Sequence, residues 1–248
     1  MKKGFTLGEI VIALVIIGVV SALTVPTLFS GTKDTECITQ LKKFDTVIQN
    51  AFDIIIVDNE SKPVSLWEDY IANPTSETLV NKLSEQLKVR NNCTDMKKCF
   101  ALDYTPYNSN SKTNIFTKTK AESGTPFSII DGSSLIISEP SPDCSISIGG
   151  YDNVCAYLYV DTNGVKKPNR YGKDVFGYYL RSNQITPFGL ADDTSNSMTD
   201  LCSKSSNSAY NGIACTGWVI YNKNLEYQKC SYGSSGIQWN VSGKNTCS

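Results

Sequence analysis

The sequence predicts an α+β protein in which one long N-terminal helix lies against an antiparallel β-sheet, followed by a disulfide-stapled C-terminal region. Three observations predict it. The chain opens with an unbroken apolar run, which continues into a second stretch whose apolar residues recur at helical steps. Beyond residue 120, short runs of β-branched and aromatic residues alternate with turn signals. Nine cysteines lie mostly in the second half.

The first element runs from Phe5 to Val25, and its only formal charge is Glu9. At 1.5 Å per residue it is roughly 31 Å long, which matches a bilayer core of about 30 Å and predicts a transmembrane helix. Lys2 and Lys3 precede it. That basic flank predicts a cytoplasmic N-terminus, with the chain after about residue 30 facing outward. A carboxylate inside such a run costs several kcal/mol unless it is paired, so Glu9 is a candidate functional residue. Snorkelling of Glu9 to the interface is the plain alternative. Val20-Ser21-Ala22 also offers a small-residue site for ordinary signal peptidase, but the apolar run exceeds the usual length of a secretory signal.

The segment Lys2-Lys3-Gly4-Phe5-Thr6-Leu7-Gly8-Glu9, with the apolar run to Pro26, resembles the type IV pilin superfamily, which includes the type II secretion pseudopilins. The resemblance implies a leader of residues 1–4, cleaved between Gly4 and Phe5 by a prepilin peptidase, and N-methylation of the new Phe5 terminus. It further implies that Glu9 pairs with the terminal amine of a neighbouring subunit. The partners it implies are other pilin or pseudopilin subunits, the peptidase/methyltransferase, an inner-membrane assembly platform and the lipid bilayer. The implied location is the bacterial inner membrane, single-pass, and then a periplasmic or surface filament. Gly8 departs from the larger aliphatic residue common before the glutamate. Pro26 removes one helical hydrogen bond and biases Val25 away from helix, predicting a kink there.

Residues 31–57 continue the helix amphipathically. Cys37, Leu41, Phe44, Ile48, Phe52 and Ile55 form one apolar stripe, which predicts packing against the globular domain of residues 58–248. Asp58 to Pro63 is a turn-rich break, Ser65 to Ala72 a short helix, and Ser76 to Val89 a helix with Leu79, Val80, Leu83 and Leu87 on its apolar face. Asn108 to Lys120 lacks periodicity and reads as an exposed loop. Phe127–Ile130 and Leu135–Ser138 flank Asp131-Gly132, a hairpin signal. Val154–Val160, Val175–Leu180, Trp218–Tyr221 and Leu225–Lys229 read as further strands.

So many cysteines in a domain facing an oxidising compartment predict disulfides. The nearest-neighbour pairing joins Cys93 to Cys99, Cys144 to Cys155, Cys202 to Cys215 and Cys230 to Cys247, one of 105 connectivities for eight cysteines, and leaves Cys37 as a buried apolar residue. A bridge from the helix to the domain, or between subunits, is the alternative for Cys37. No cysteine pair has zinc-ribbon spacing and the chain has no histidine, so no metal and no cofactor is expected.

Asp161-x-Asn163-Gly164 is similar to half of a calcium loop, and because some pseudopilins carry a calcium ion near the end of the sheet, the resemblance makes Asp161, Asn163 and Asp174 the oxygens to test. Val165 and Gly172 break the EF-hand spacing, so a turn between strands is the preferred reading. Without histidine there is no Ser-His-Asp or Cys-His arrangement, and Asp192, Asp193 and Asp200 sit in a Ser/Asn-rich stretch that reads as a solvated loop. No enzyme is expected. A net charge of −1 provides no field for direct nucleic-acid binding. The function expected is a pilin-like structural subunit of an envelope-spanning filament. The alternative is a filament-displayed or membrane-anchored adhesive module that stacks glycans on Trp218, Tyr221, Tyr227 or Trp239.

Overall fold

A computed structural model describes residues 6–247, the side chains of residues 23–31 excepted. Helix α1 spans Leu7–Asp58. The chain divides into two compact units, one ending at Glu36 and one beginning at Cys37.

Within the second unit, the predicted stripe of α1 is the part that meets the core. Leu41, Phe44 and Ile48 are fully buried and Cys37, Phe52 and Ile55 nearly so. Phe44 packs on Tyr178 with ring centroids 5.9 Å apart, and the Gln49 amide donates to the Ile185 carbonyl at 2.8 Å. These contacts run from α1 to the sheet because the apolar residues return every three or four positions and so share one face.

The sheet has seven strands, all antiparallel. They are β1 (Val89–Asn92), β2 (Thr125–Ile129), β3 (Ser134–Ser138), β4 (Ile146–Ile148), β5 (Tyr151–Asp161), β6 (Val175–Arg181) and β7 (Ile185–Pro187). Their order is β1-β2-β3-β5-β6-β7, with β4 paired to β5. The Asp131-Gly132 hairpin joins β2 to β3 with Phe127 opposite Leu135; Gly132 takes φ +99°, and Asp131 Oδ1 accepts the Ser133 N–H at 2.9 Å. Short helices α2 (Glu68–Ala72) and α3 (Ser76–Gln86) follow α1, and Thr75 caps α3 by accepting the Thr78 N–H. The register breaks at Arg90, the extra residue between the Val89–Ile129 and Asn91–Ser128 pairs.

The structure corrects the predicted fold class. Among the described residues no helix is long and apolar enough to cross a membrane. The transmembrane half of the predicted helix, and with it the single-pass inner-membrane location, is therefore set aside. The predicted single helix-on-sheet body is also divided, the portion of the helix up to Glu36 belonging to a compact unit of its own. What remains is a seven-stranded antiparallel sheet with helices.

Three local expectations also change. Trp218–Tyr221 is not a strand but part of helix α6 (Thr216–Asn222). β-branched and aromatic content favoured a strand, yet the segment winds into a helix whose first four residues, Thr216 to Val219, are all buried while Tyr221 is exposed. Leu225–Lys229 is a 3₁₀ turn at Glu226–Gln228. The supposed loop at 108–120 contains helix α4 (Ile115–Ala121), capped by Asn114 and buried through Ile115, Phe116 and Thr119; Phe116 stacks on Phe100 at 4.1 Å. One further short helix, α5 (Met198–Leu201), precedes α6.

Disulfides are present. They join Cys93 to Cys99, Cys144 to Cys155, Cys202 to Cys215 and Cys230 to Cys247. Cys37 stands outside them, buried, its thiol donating to the Lys173 carbonyl. Close packing around the Cys202–Cys215 bridge requires glycine at one point. Gly189 takes φ +74°, and a Cβ there would fall 1.7 Å from the Ala214 carbonyl oxygen.

Candidate functional site

Gly4 and Phe5 lie outside the described residues, as does the side chain of Pro26. Glu9 is described, and it has a local role that the sequence reading missed. The Thr6 N–H and Thr6 hydroxyl both donate to Glu9 Oε2 at 2.8 Å, while the Glu9 N–H donates to Thr6 Oγ1 at 3.3 Å. This is a capping box, in which residues three apart satisfy each other's otherwise unpaired helix-start donors. The Thr-x-x-Glu spacing was its signal. Neither side-chain bond uses Oε1.

Beyond Glu9 the helix is apolar on every side and open. Leu7, Ile10, Val11, Ile12, Leu14, Val15, Ile16, Ile17, Val19 and Val20 are all about half exposed or more. Consecutive residues sit 100° apart around a helix, so Ile10 to Ile12 and Leu14 to Ile17 leave no polar face. A Cβ added at Gly8 or Gly18 would meet nothing within 4 Å. Glycine inside a helix costs about 1 kcal/mol relative to alanine, and the unit itself gives neither position a reason for it.

A second candidate centre is the end of β5. Asp161 and Asp174 are both buried, one at the strand end and one just before β6. Asp161 Oδ2 accepts the Tyr104 hydroxyl at 2.6 Å and Oδ1 accepts the Asn163 N–H at 3.1 Å. Asp174 Oδ2 and Oδ1 accept the N–H groups of Asn169 and Arg170, each at 2.6 Å. The Asn163 side chain, oriented with its nitrogen toward these oxygens, donates to the Lys166 carbonyl at 2.8 Å and to Asp161 Oδ1 at 3.2 Å. Every carboxylate oxygen thus holds a donor, and the two aspartates tie down the turn between β5 and β6. Among the described residues, no group of three or more His, Cys, Asp or Glu side chains is placed to hold a metal ion.

Burial pushes both carboxyls up, Asp174 to about 6 and Asp161 well above the ordinary aspartate value, with the neighbouring Asp174 charge adding to the rise at Asp161. The native state therefore binds protons more tightly than the unfolded chain. Stability that is present below the unfolded value of 3.8 is lost as pH rises through about 6. Urea midpoints measured from pH 4 to pH 8 should fall across that window, and Asp174→Asn should flatten the fall.

The Asp192–Asp193 pair departs from the solvated-loop expectation. Asp193 is buried, taking the N–H of Gly189 on Oδ2 at 3.0 Å and those of Ser195 and Asn196, with the Tyr179 hydroxyl, on Oδ1. Asp192 accepts the Tyr151 hydroxyl at 2.6 Å. Asp200 caps the first turn of α5 with Ser197. Each carboxylate has a separate structural task. The aromatic residues proposed for sugar stacking are mostly core: Trp218 and Tyr227 are fully buried, Trp239 packs edge-on to Trp218 at 5.1 Å, and only Tyr221 exposes most of its ring.

Comparison with protein-family models, curated proteins and solved structures finds no match. The resemblance to pilins therefore rests on the N-terminal residues alone.

Proposed function

We propose that the chain is a structural subunit of a filament of the type IV pilus or type II secretion pseudopilus kind, held together by its N-terminal helices. The observation that carries this reading is the helix from Leu7 to Ala22, apolar all round and exposed. Such a surface calls for partner helices, and copies of the same helix supply them. Burying a half-exposed Val, Leu or Ile gives roughly 1 kcal/mol, so the ten large side chains offer about 10 kcal/mol per subunit. Association costs are of similar size, which favours an arrangement where each helix meets several neighbours. Gly8 and Gly18 allow backbones to approach closely at two levels.

Maturation on this reading is cleavage between Gly4 and Phe5 followed by N-methylation of Phe5, with the prepilin peptidase/methyltransferase as partner. Glu9 then has two tasks. It caps its own helix through Oε2 and meets the Phe5 amine of a neighbouring subunit through Oε1. The work of the protein is mechanical, the disulfide-stapled domain forming the outer coat. The mass of the N-terminal peptide of protein from its native host tests the maturation step. The expected terminus is N-methylated Phe5; an intact Met1 would contradict the reading.

A further inference from the structure

A groove of about 380 Å³ lies where β1, the Cys93–Cys99 loop and the loop after β5 meet, and Arg90, Lys98 and Lys166 line it together with the amide side chains of Asn91 and Asn163. We propose that this groove binds a phosphate group carried by a small ligand. The volume suits such a ligand.

Charge is the first argument. No Asp or Glu lines the groove, and among the described residues none of the three cations forms a salt bridge. The chain as a whole carries a net charge of −1, so this local excess is not a reflection of a basic protein. Three like charges facing one concavity raise the local concentration of anions. The neutral lining, Ser128, Ser134 and Asn91, adds hydrogen-bond donors suited to phosphate oxygens.

Scaffolding is the second, and it is independent of charge. Each cation sits on a segment fixed by a different device. Arg90 is the bulged residue of β1, and bulges re-aim side chains at sheet edges. Lys98 belongs to the loop closed by the Cys93–Cys99 bridge, its N–H donating to the Asp95 carbonyl at 3.1 Å. Lys166 lies in the turn held by Asp161 and Asp174, its carbonyl accepting the Asn163 amide. The segments also meet closely at Gly164, φ +67°, where a Cβ would come within 3.1 Å of the Gly132 carbonyl and 3.3 Å of the Cys99 carbonyl. Groups held in advance lose less freedom when a ligand arrives.

Calorimetric titration of the full chain with glucose 6-phosphate, glucose and inorganic phosphate tests the proposal. Saturable binding of the sugar phosphate but not of glucose is expected, weakened at least tenfold in the Arg90→Ala/Lys98→Ala/Lys166→Ala variant. Inorganic phosphate binding as tightly would identify the free ion as occupant, and weaker binding would identify the ester. The three side chains are exposed, so an unchanged thermal melt should accompany the loss. No saturable binding, chloride competing as well as phosphate, or a triple variant that binds like the parent would each overturn the proposal.

Discussion

Trp218→Ala is expected to lower the melting temperature by roughly 10 °C. Truncating a buried tryptophan costs about 3–5 kcal/mol, and 1 kcal/mol moves the midpoint of a domain of this size by about 2–4 °C. Trp218 is fully buried in α6 and joins that helix to the C-terminal tail. Its ring meets Trp239 and Tyr232, with centroids 5.1 Å and 6.4 Å away. Its Nε1–H donates to Asn224 Oδ1 at 2.8 Å, an oxygen that also takes the Glu226 N–H, while the Asn224 amide donates to the Asn245 carbonyl. Removing the indole empties the centre of this cluster and leaves Asn224 without one of its donors. The Cys230–Cys247 bridge keeps the tail attached, so the loss is one of packing rather than of connectivity. Tyr221→Ala is the control. Its ring is 63% exposed, and its removal should change stability by no more than about 0.5 kcal/mol. Thermal melts followed by near-ultraviolet circular dichroism distinguish the two.

Legibility in the sequence followed burial periodicity. The stripe from Cys37 to Ile55 was readable because six apolar residues fall on one helix face, and strands β2, β3, β5 and β6 because their β-branched and aromatic runs end at turn residues. Strands β4 and β7 were not, since three residues carry no period. Helix α6 was misread because Trp218, Val219, Ile220 and Tyr221 favour strand locally, and only their tertiary setting winds them into a helix, closed by Lys223 at φ +57°. The candidate sites divide in the same way. Glu9 stood out by its charge, whereas its partner Thr6 needed the capping-box spacing to be noticed. Asp193 was taken for a solvated residue because its Ser/Asn neighbours are polar, although their N–H groups are what bury it. The phosphate groove joins residues 90, 98 and 166, and no local pattern could have connected them.

The dual role assigned to Glu9 separates cleanly from its local one. Thr6→Ala removes the capping box and should cost the helix start about 0.5–2 kcal/mol. Glu9→Ala removes the same box and, on the proposed function, also the carboxylate that would neutralise the Phe5 amine of a neighbour. An unpaired ammonium inside a packed helical core costs several kcal/mol, and each 1.4 kcal/mol is a factor of ten in association. The most direct measurement is the amount of sedimentable filament sheared from cells producing each variant at equal subunit levels. The account predicts filament within about twofold of the parent for Thr6→Ala and a loss of at least a hundredfold for Glu9→Ala. Equal losses in both variants would reduce Glu9 to a helix cap and contradict assembly through its charge.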